Sequence, residues 1–214
     1  MLDDDALARS SVVANNAMNR ERGLTGPNSY TKDLGVDVVA LLDTGCAWLD
    51  LCCGSGRALV EAAALFGDRV RIVGLDLVDF FVETAGGPEL ITGSVASWRP
   101  DGTFDLITCV HGLHYVGDKL GAITRAVSWL RPGGRFVANF DAADVRDADG
   151  VPLGRSLASA LRKAGIDYDA RRKRLSCVGP RSVVLPFDYL GADDQAGPNY
   201  TGQPAVGSHY ERRS

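Results

Sequence analysis

The residues with the most chemistry in them fall in three short stretches. The first is Trp48-Leu49-Asp50-Leu51-Cys52-Cys53-Gly54-Ser55-Gly56-Arg57, an apolar run with an acid near its end that breaks into a turn of small residues. Ala58, Leu59, Ala62 and Leu65 then recur at helical spacing, so the turn joins a strand to a helix. Small residues let a ligand approach the backbone there, and the first N–H groups of the helix have no intrahelical partner. That is a cradle for a nucleotide-like ligand. The second stretch, Val70-Arg71-Ile72-Val73-Gly74-Leu75-Asp76, is a β-branched strand whose closing acid falls 20 residues after Gly56. An acid at that separation can hold a ribose hydroxyl. The third, Cys109-Val110-His111-Gly112-Leu113-His114-Tyr115, contains two of the three histidines. Histidine titrates near neutrality, so either can serve as a general base.

Several chemistries are disfavoured by the same residues. A dinucleotide fingerprint needs a third glycine where Leu59 stands, and no Gly-Lys-Ser/Thr follows the turn as a P-loop requires. The five cysteines are odd in number and form no C-x-x-C pair, which gives no zinc framework and fits reduced thiols. His111 and His114 lack a visible third ligand, so no metal is expected. Cys52, Cys53 and Cys109 read as small buried residues.

The elements that must position these groups alternate along the chain. Residues 5–20 suit a helix with Leu7, Val12, Val13 and Met18 on one side, and 31–42 a second with Leu34, Val38, Leu41 and Leu42. Between them Arg22 to Tyr30 is dense in turn residues. After the first strand and helix, strands are expected at 70–75, 89–92, 104–110 and 135–140, with a short helix at 78–85. A further helix over Leu120, Ile123, Val127 and Leu130 stops at Arg131-Pro132-Gly133-Gly134. Residues 141–150 read as a polar loop, 153–164 as a helix closed by Gly165, and 173–178 with 182–189 as an antiparallel pair. The Gly- and Pro-rich tail from 191 is open between an ordered flap and disorder. The fold class is α/β: a doubly wound, mainly parallel seven-stranded sheet with an antiparallel C-terminal hairpin, helices on both faces and an N-terminal helical lid. One domain, 1–214, divides into a cap (1–45), a ligand-binding core (46–140) and a C-terminal half (141–214). Ligands of such sheets lie outside the carboxyl ends of the strands, where the acids and turns above fall.

Composition bounds the partners. A chain of 214 residues, 45% hydrophobic, can bury a substantial core, and a net charge of −4 argues against a nucleic-acid partner. Arg171-Arg172-Lys173-Arg174 reads as a solvated face. The start is acidic where a signal peptide is basic, and no apolar run approaches the ~20 residues of a membrane span. A cytoplasmic protein without a membrane partner, monomer or homodimer, is expected.

Taken together, these stretches resemble one family. Asp50-Leu51-Cys52-Cys53-Gly54-Ser55-Gly56 resembles the acid-x-Gly-x-Gly-x-Gly motif of class I S-adenosylmethionine-dependent methyltransferases. Asp76 stands where that family's ribose-binding acid ends the second strand, and Gly93-Ser94-Val95 resembles its Gly-Asp-Ala. Phe104-Asp105-Leu106-Ile107 and Leu130-Arg131-Pro132-Gly133-Gly134-Arg135-Phe136 are similar to its fourth-strand and pre-fifth-strand signatures. The resemblance covers roughly residues 46–140. It departs at Cys52, which replaces the first glycine and is tolerable if φ is negative there. It departs also at Ser94, whose hydroxyl replaces a carboxylate that accepts from the adenine amino group. It implies S-adenosylmethionine as cofactor, contacted by Tyr30, Asp50, Cys52, Gly54, Gly56, Asp76, Leu77, Ser94, Val95 and Val110. It places His111 and His114 towards the transferred methyl as catalytic candidates; Tyr200 and His209 in the tail rank below them. The implied reaction is methyl transfer to oxygen or nitrogen of a small-molecule acceptor, with specialised metabolism a setting. The alternatives are a protein or peptide methyltransferase and a fold relative that binds the same cofactor without transferring methyl.

Overall fold

Sequence patterning fixes the centre of the molecule first. The computed structural model describes residues 1–14, 21–84 and 86–213. Short helices α1 (Asp4–Ala8), α2 (Ser11–Ala14) and α3 (Tyr30–Leu34) precede strand β1 (Ala47–Leu51), and helix α4 (Arg57–Phe66) follows it. Then come β2 (Arg71–Asp76), β3 (Glu89–Thr92), β4 (Phe104–Cys109), α5 (Lys119–Ser128) and β5 (Leu130–Asn139). The C-terminal part holds β6 (Val145–Arg146), α6 (Gly154–Lys163), β7 (Asp167–Asp169), β8 (Arg174–Val178), β9 (Phe187–Asp193) and β10 (Gly207–Arg212).

The main sheet has seven strands in the order β3-β2-β1-β4-β5-β8-β7. Its first five are parallel and its last two antiparallel. The order reverses beside β1, so β1 and β4 open the crevice in which ligands of such sheets bind. Both faces are covered, which is why β1 is buried at all five positions rather than alternating. One face packs Leu49, Leu51, Val73 and Ile107 against α5 and α6. The other packs Trp48, Ile72, Leu106 and Val137 against α4 and the segment around α3. A second sheet, β6-β10-β9, lies in the C-terminal part.

Four expectations change. The antiparallel hairpin is β7–β8, not 173–178 paired with 182–189. The short charged Asp167-Tyr168-Asp169 takes the sheet edge, as charged edge strands do. Gly179 with φ 77° and then Pro180 turn the chain away, and β9 pairs with β10 instead. Residues 78–84 are not helical: Val78 N–H donates to Asp76 and Val82 N–H to the Ser55 carbonyl, so their donors leave the segment. The helix expected over 31–42 ends at Gly35, whose φ of 62° is left-handed, although Leu34, Val38 and Leu42 still face one core. The helix expected over 5–20 is two short pieces within the described residues; Met18 lies outside them.

The tail is ordered through residue 213, and β10 is tied to the segment before α5. Val206 N–H donates to the His114 carbonyl (2.9 Å), and Tyr210 Oη donates to Asp118 (3.1 Å). The buried Lys119 ammonium donates to the carbonyls of Val116 (2.9 Å) and Val206 (2.6 Å) and to Ser208 Oγ (3.0 Å). No helix among the described residues is long and apolar enough to cross a membrane.

Candidate active site

Four strand ends meet at one cavity. The turn after β1 supplies Cys52, Cys53 and Gly54; the end of β2 supplies Asp76 and Leu77. Gly93, Ser94 and Val95 follow β3, and Val110 and His111 follow β4. Tyr30 and Arg22 close one side. Among the other residues expected from sequence, Asp50, Gly56, His114 and Tyr200 are not part of the wall.

The turn is shaped by backbone. Gly56 begins α4 with φ 76°, and a Cβ there would press Leu90 at 3.0 Å. Cys52 adopts φ 58°, so the expectation of a negative φ is corrected. A left-handed non-glycine residue costs about 1–2 kcal/mol, and room for its side chain comes from Gly112, where a Cβ would overlap Cys52 Cβ. Asp76 spans the turn: Oδ2 accepts from Gly54 N–H (2.8 Å) and Oδ1 from Val78 N–H (3.2 Å). Ser94 Oγ accepts from Ala96 N–H (3.2 Å) and keeps its own proton to donate.

Asp50 sits behind this wall. Tyr30 Oη donates to its Oδ2 (2.6 Å), Thr108 Oγ1 donates to its Oδ1, and Trp48 Nε1 donates to Thr108 Oγ1 (2.8 Å). Burial pushes the Asp50 carboxyl up to about 7, against the two hydroxyl donors that favour the carboxylate. Burial and the neighbouring Asp50 push the Tyr30 phenol well above its ordinary value, so it stays a donor. The network fastens α3 to the sheet.

Fastening α3 has a consequence at the opposite end of the cavity, because α3 carries Asp33. Arg22 Nε donates to Asp33 Oδ2 (2.6 Å), and His111 Nε2 lies 3.3 Å from the same oxygen. Burial pushes the Asp33 carboxyl up, but the His111 and Arg22 hydrogen bonds outweigh it and hold the group below its ordinary value. Tyr200, on the loop before β10, places its hydroxyl 3.4 Å from His111 Nδ1. With Nε2 facing a carboxylate and Nδ1 facing a hydroxyl, the contacts assign the proton to Nε2 and the lone pair to Nδ1. His114 stacks behind His111 at 5.9 Å, buried, with Nδ1 3.4 Å from Asp144. Burial pushes its imidazole down, so it stays neutral. His209 contacts the Asp147 carbonyl (3.0 Å) and lies in β10, off the cavity wall.

Asp33 was invisible in the sequence as a site residue, since nothing in Tyr30-Thr31-Lys32-Asp33-Leu34 marks it. The wall contributed by Leu7, Ala8 and Val13 was likewise unmarked, whereas Asn199, Thr201 and Gln203 belong to the tail segment, 190–214, expected to line the acceptor side.

Residues 49–134 match the family model described as "Methyltransferase domain". That stretch runs from β1 into the first half of β5 and contains the turn after β1, Asp76 and His111. By that match the stretch is similar to methyltransferase domains, as its motifs imply. The demethylmenaquinone methyltransferase of Lactococcus lactis is 30% identical over 104 residues, 44% of this chain and 41% of that protein. The arsenite methyltransferase of Aquipseudomonas alcaligenes is 30% identical over 160 residues, 64% of this chain and 46% of that protein. The chain thus spans less than half the length of these curated relatives. Among solved structures, a methyltransferase from Thiobacillus denitrificans in complex with S-adenosylhomocysteine is similar. It has a TM-score of 0.48 and 24% identity, covering 73% of this chain and 71% of that one.

Proposed function

We propose that the protein transfers a methyl group from S-adenosylmethionine to an oxygen or nitrogen of a small molecule, with His111 as general base. The observation that carries this reading is one cavity bounded at one end by Gly54, Asp76 and Ser94 and at the other by His111. The chemistry of the wall fits the cofactor: the Asp76 carboxylate for ribose hydroxyls, a turn of small residues at Gly54, and apolar Leu77 and Val95 for the adenine base. When bound, the cofactor supplies an activated methyl on a good thioether leaving group. The residues of this chain align the acceptor and remove its proton. His111 suits that task because Asp33 and Arg22 hold its ring and point a lone pair at Nδ1.

A second reading places the methyl on an acceptor carbon. The relatives named demethylmenaquinone methyltransferase, 30–33% identical over about 100 residues, favour it. The experiment is release of S-adenosylhomocysteine with a panel of phenols, hydroquinones and anilines, followed by mass spectrometry and NMR of the products. A new O- or N-methyl supports the main reading and a new C-methyl the second. A His111→Ala variant that turns over at the full wild-type rate removes His111 from the mechanism.

A further inference from the structure

Both ring nitrogens of His111 face protein groups, so a substrate finds no open lone pair unless one of those groups leaves. Asp33 is not the one to go: it is clamped by Arg22 at 2.6 Å, and its helix is fastened through Tyr30 to buried Asp50. Tyr200 is 42% exposed, sits on a turn closed by Asn199 and Gln203, and contacts Nδ1 at 3.4 Å. Its ring fills a slot beside the two stacked imidazoles, with centroids 6.1 Å from His111 and 5.3 Å from His114. The structure has a phenol resting at the candidate base.

We propose that the Tyr200 phenol is a built-in stand-in for the acceptor, and that the substrate is a planar phenol or enol whose hydroxyl displaces it from His111 Nδ1. The inference rests on the methyl-transfer reading and names the acceptor class for that same site. The slot favours a ring because its wall is the edge of the His111–His114 stack, which Tyr200 meets tilted at 43° and edge-on at 68°. It selects against an anionic acceptor because three carboxylates approach it. Asp33 contacts His111, Asp144 contacts His114, and Asp141 at the end of β5 is paired with Lys173 (2.9 Å). Burial first, then Asp33 and Asp141, push the Tyr200 phenol up to about 12, so it rests protonated as a donor to Nδ1. A neutral hydroxyl acceptor arrives in the same state.

The proton and electron balance closes without a further reagent. The acceptor O–H proton moves to His111 Nδ1, and the oxygen pair so freed forms the O–CH3 bond. The C–S pair of the sulfonium returns to sulfur. The imidazolium left behind faces the Asp33 carboxylate and gives its proton to water.

The test uses p-cresol, the tyrosine side chain as a free molecule, beside p-toluidine and p-toluate. Binding is measured calorimetrically with S-adenosylhomocysteine present, on wild type, Tyr200→Ala and Tyr200→Phe. Emptying the slot in Tyr200→Ala should tighten p-cresol binding roughly tenfold over wild type, with no such gain for p-toluidine or p-toluate. Tyr200→Phe keeps the ring and frees Nδ1, so it should show a gain of about threefold, the worth of one modest hydrogen bond. Equal gains for all three probes, or none in either variant, overturn the proposal; Tyr200→Phe alone decides if Tyr200→Ala misfolds. Binding of S-adenosylhomocysteine by wild type and variants without a p-cresol gain in either variant sinks this inference alone. Wild type that fails to bind S-adenosylhomocysteine sinks the methyl-transfer reading with it.

Discussion

Lys119→Met, followed across pH, probes how the C-terminal arm is held over the site. Lys119 is fully buried, and its three ammonium protons meet three acceptors: the carbonyls of Val116 and Val206 and the hydroxyl of Ser208. Burial pushes its amine down to about 7, opposed by Asp144. An unfolded lysine titrates near 10.4. Between these values the unfolded chain binds more protons than the folded one, so stability rises with pH. Below pH 7 the cost of burying the charged ammonium is present in full; it is relieved as pH climbs towards 10. From pH 6 to pH 9 this single group should add about 3 kcal/mol to wild type, or roughly 6–12 °C in Tm for a domain of this size. Methionine has no charge to lose, so the variant lacks this component. Thermal unfolding of both proteins from pH 6 to pH 9 should therefore show the gap in Tm moving in favour of wild type. A gap that stays constant over that range would show that Lys119 does not titrate in the folded protein. The variant should also loosen the loop bearing Asn199, Tyr200 and Gln203 while leaving the turn at Gly54 intact.

Two further perturbations address the cofactor end. Asp76→Ala removes the acceptor expected to meet ribose and leaves Gly54 N–H without its 2.8 Å partner. Calorimetry should show a Kd for S-adenosylhomocysteine raised about 10- to 100-fold, and an unchanged Kd would mean the ribose lies elsewhere. Cys52→Gly relieves a left-handed residue with φ 58° and gives up a partly buried thiol, a net gain of about 1 kcal/mol. Urea unfolding checks it, and a less stable variant would refute the strain argument.

The sequence revealed the cofactor half of the molecule far better than the acceptor half, and the reason is physical. A parallel strand buried on both faces must be apolar, and the turn after it must be small, so β1, β2, β4 and the Gly54–Gly56 turn announce themselves locally. Asp76 is legible because it follows such a strand at a fixed distance. Asp33 is not, and Tyr200 ranks only as a lesser candidate in the tail, because what places them is tertiary. Tyr30 reaches buried Asp50 and turns α3 so that Asp33 meets His111. Lys119 and Tyr210 draw β10 onto the start of α5 and bring Tyr200 with it. Asp50 misled for the same reason. Its place in the motif suggests a ligand, yet it is fully buried behind the cavity wall, where it accepts from Tyr30 and Thr108. The strand at 182–189 was drawn wrongly because β-branched residues at Val183 and Val184 suit a strand, whereas Val184 is 79% exposed and the pairing begins only at Phe187.

The central claim is that the cavity between Gly54, Asp76 and His111 is a methyl-donor site, and calorimetric titration of the wild-type chain with S-adenosylhomocysteine tests it most directly. The account predicts one saturable site, weakened by Asp76→Ala and unaffected by His111→Ala. No saturable binding, or binding that Asp76→Ala leaves unchanged while His111→Ala abolishes it, would contradict it.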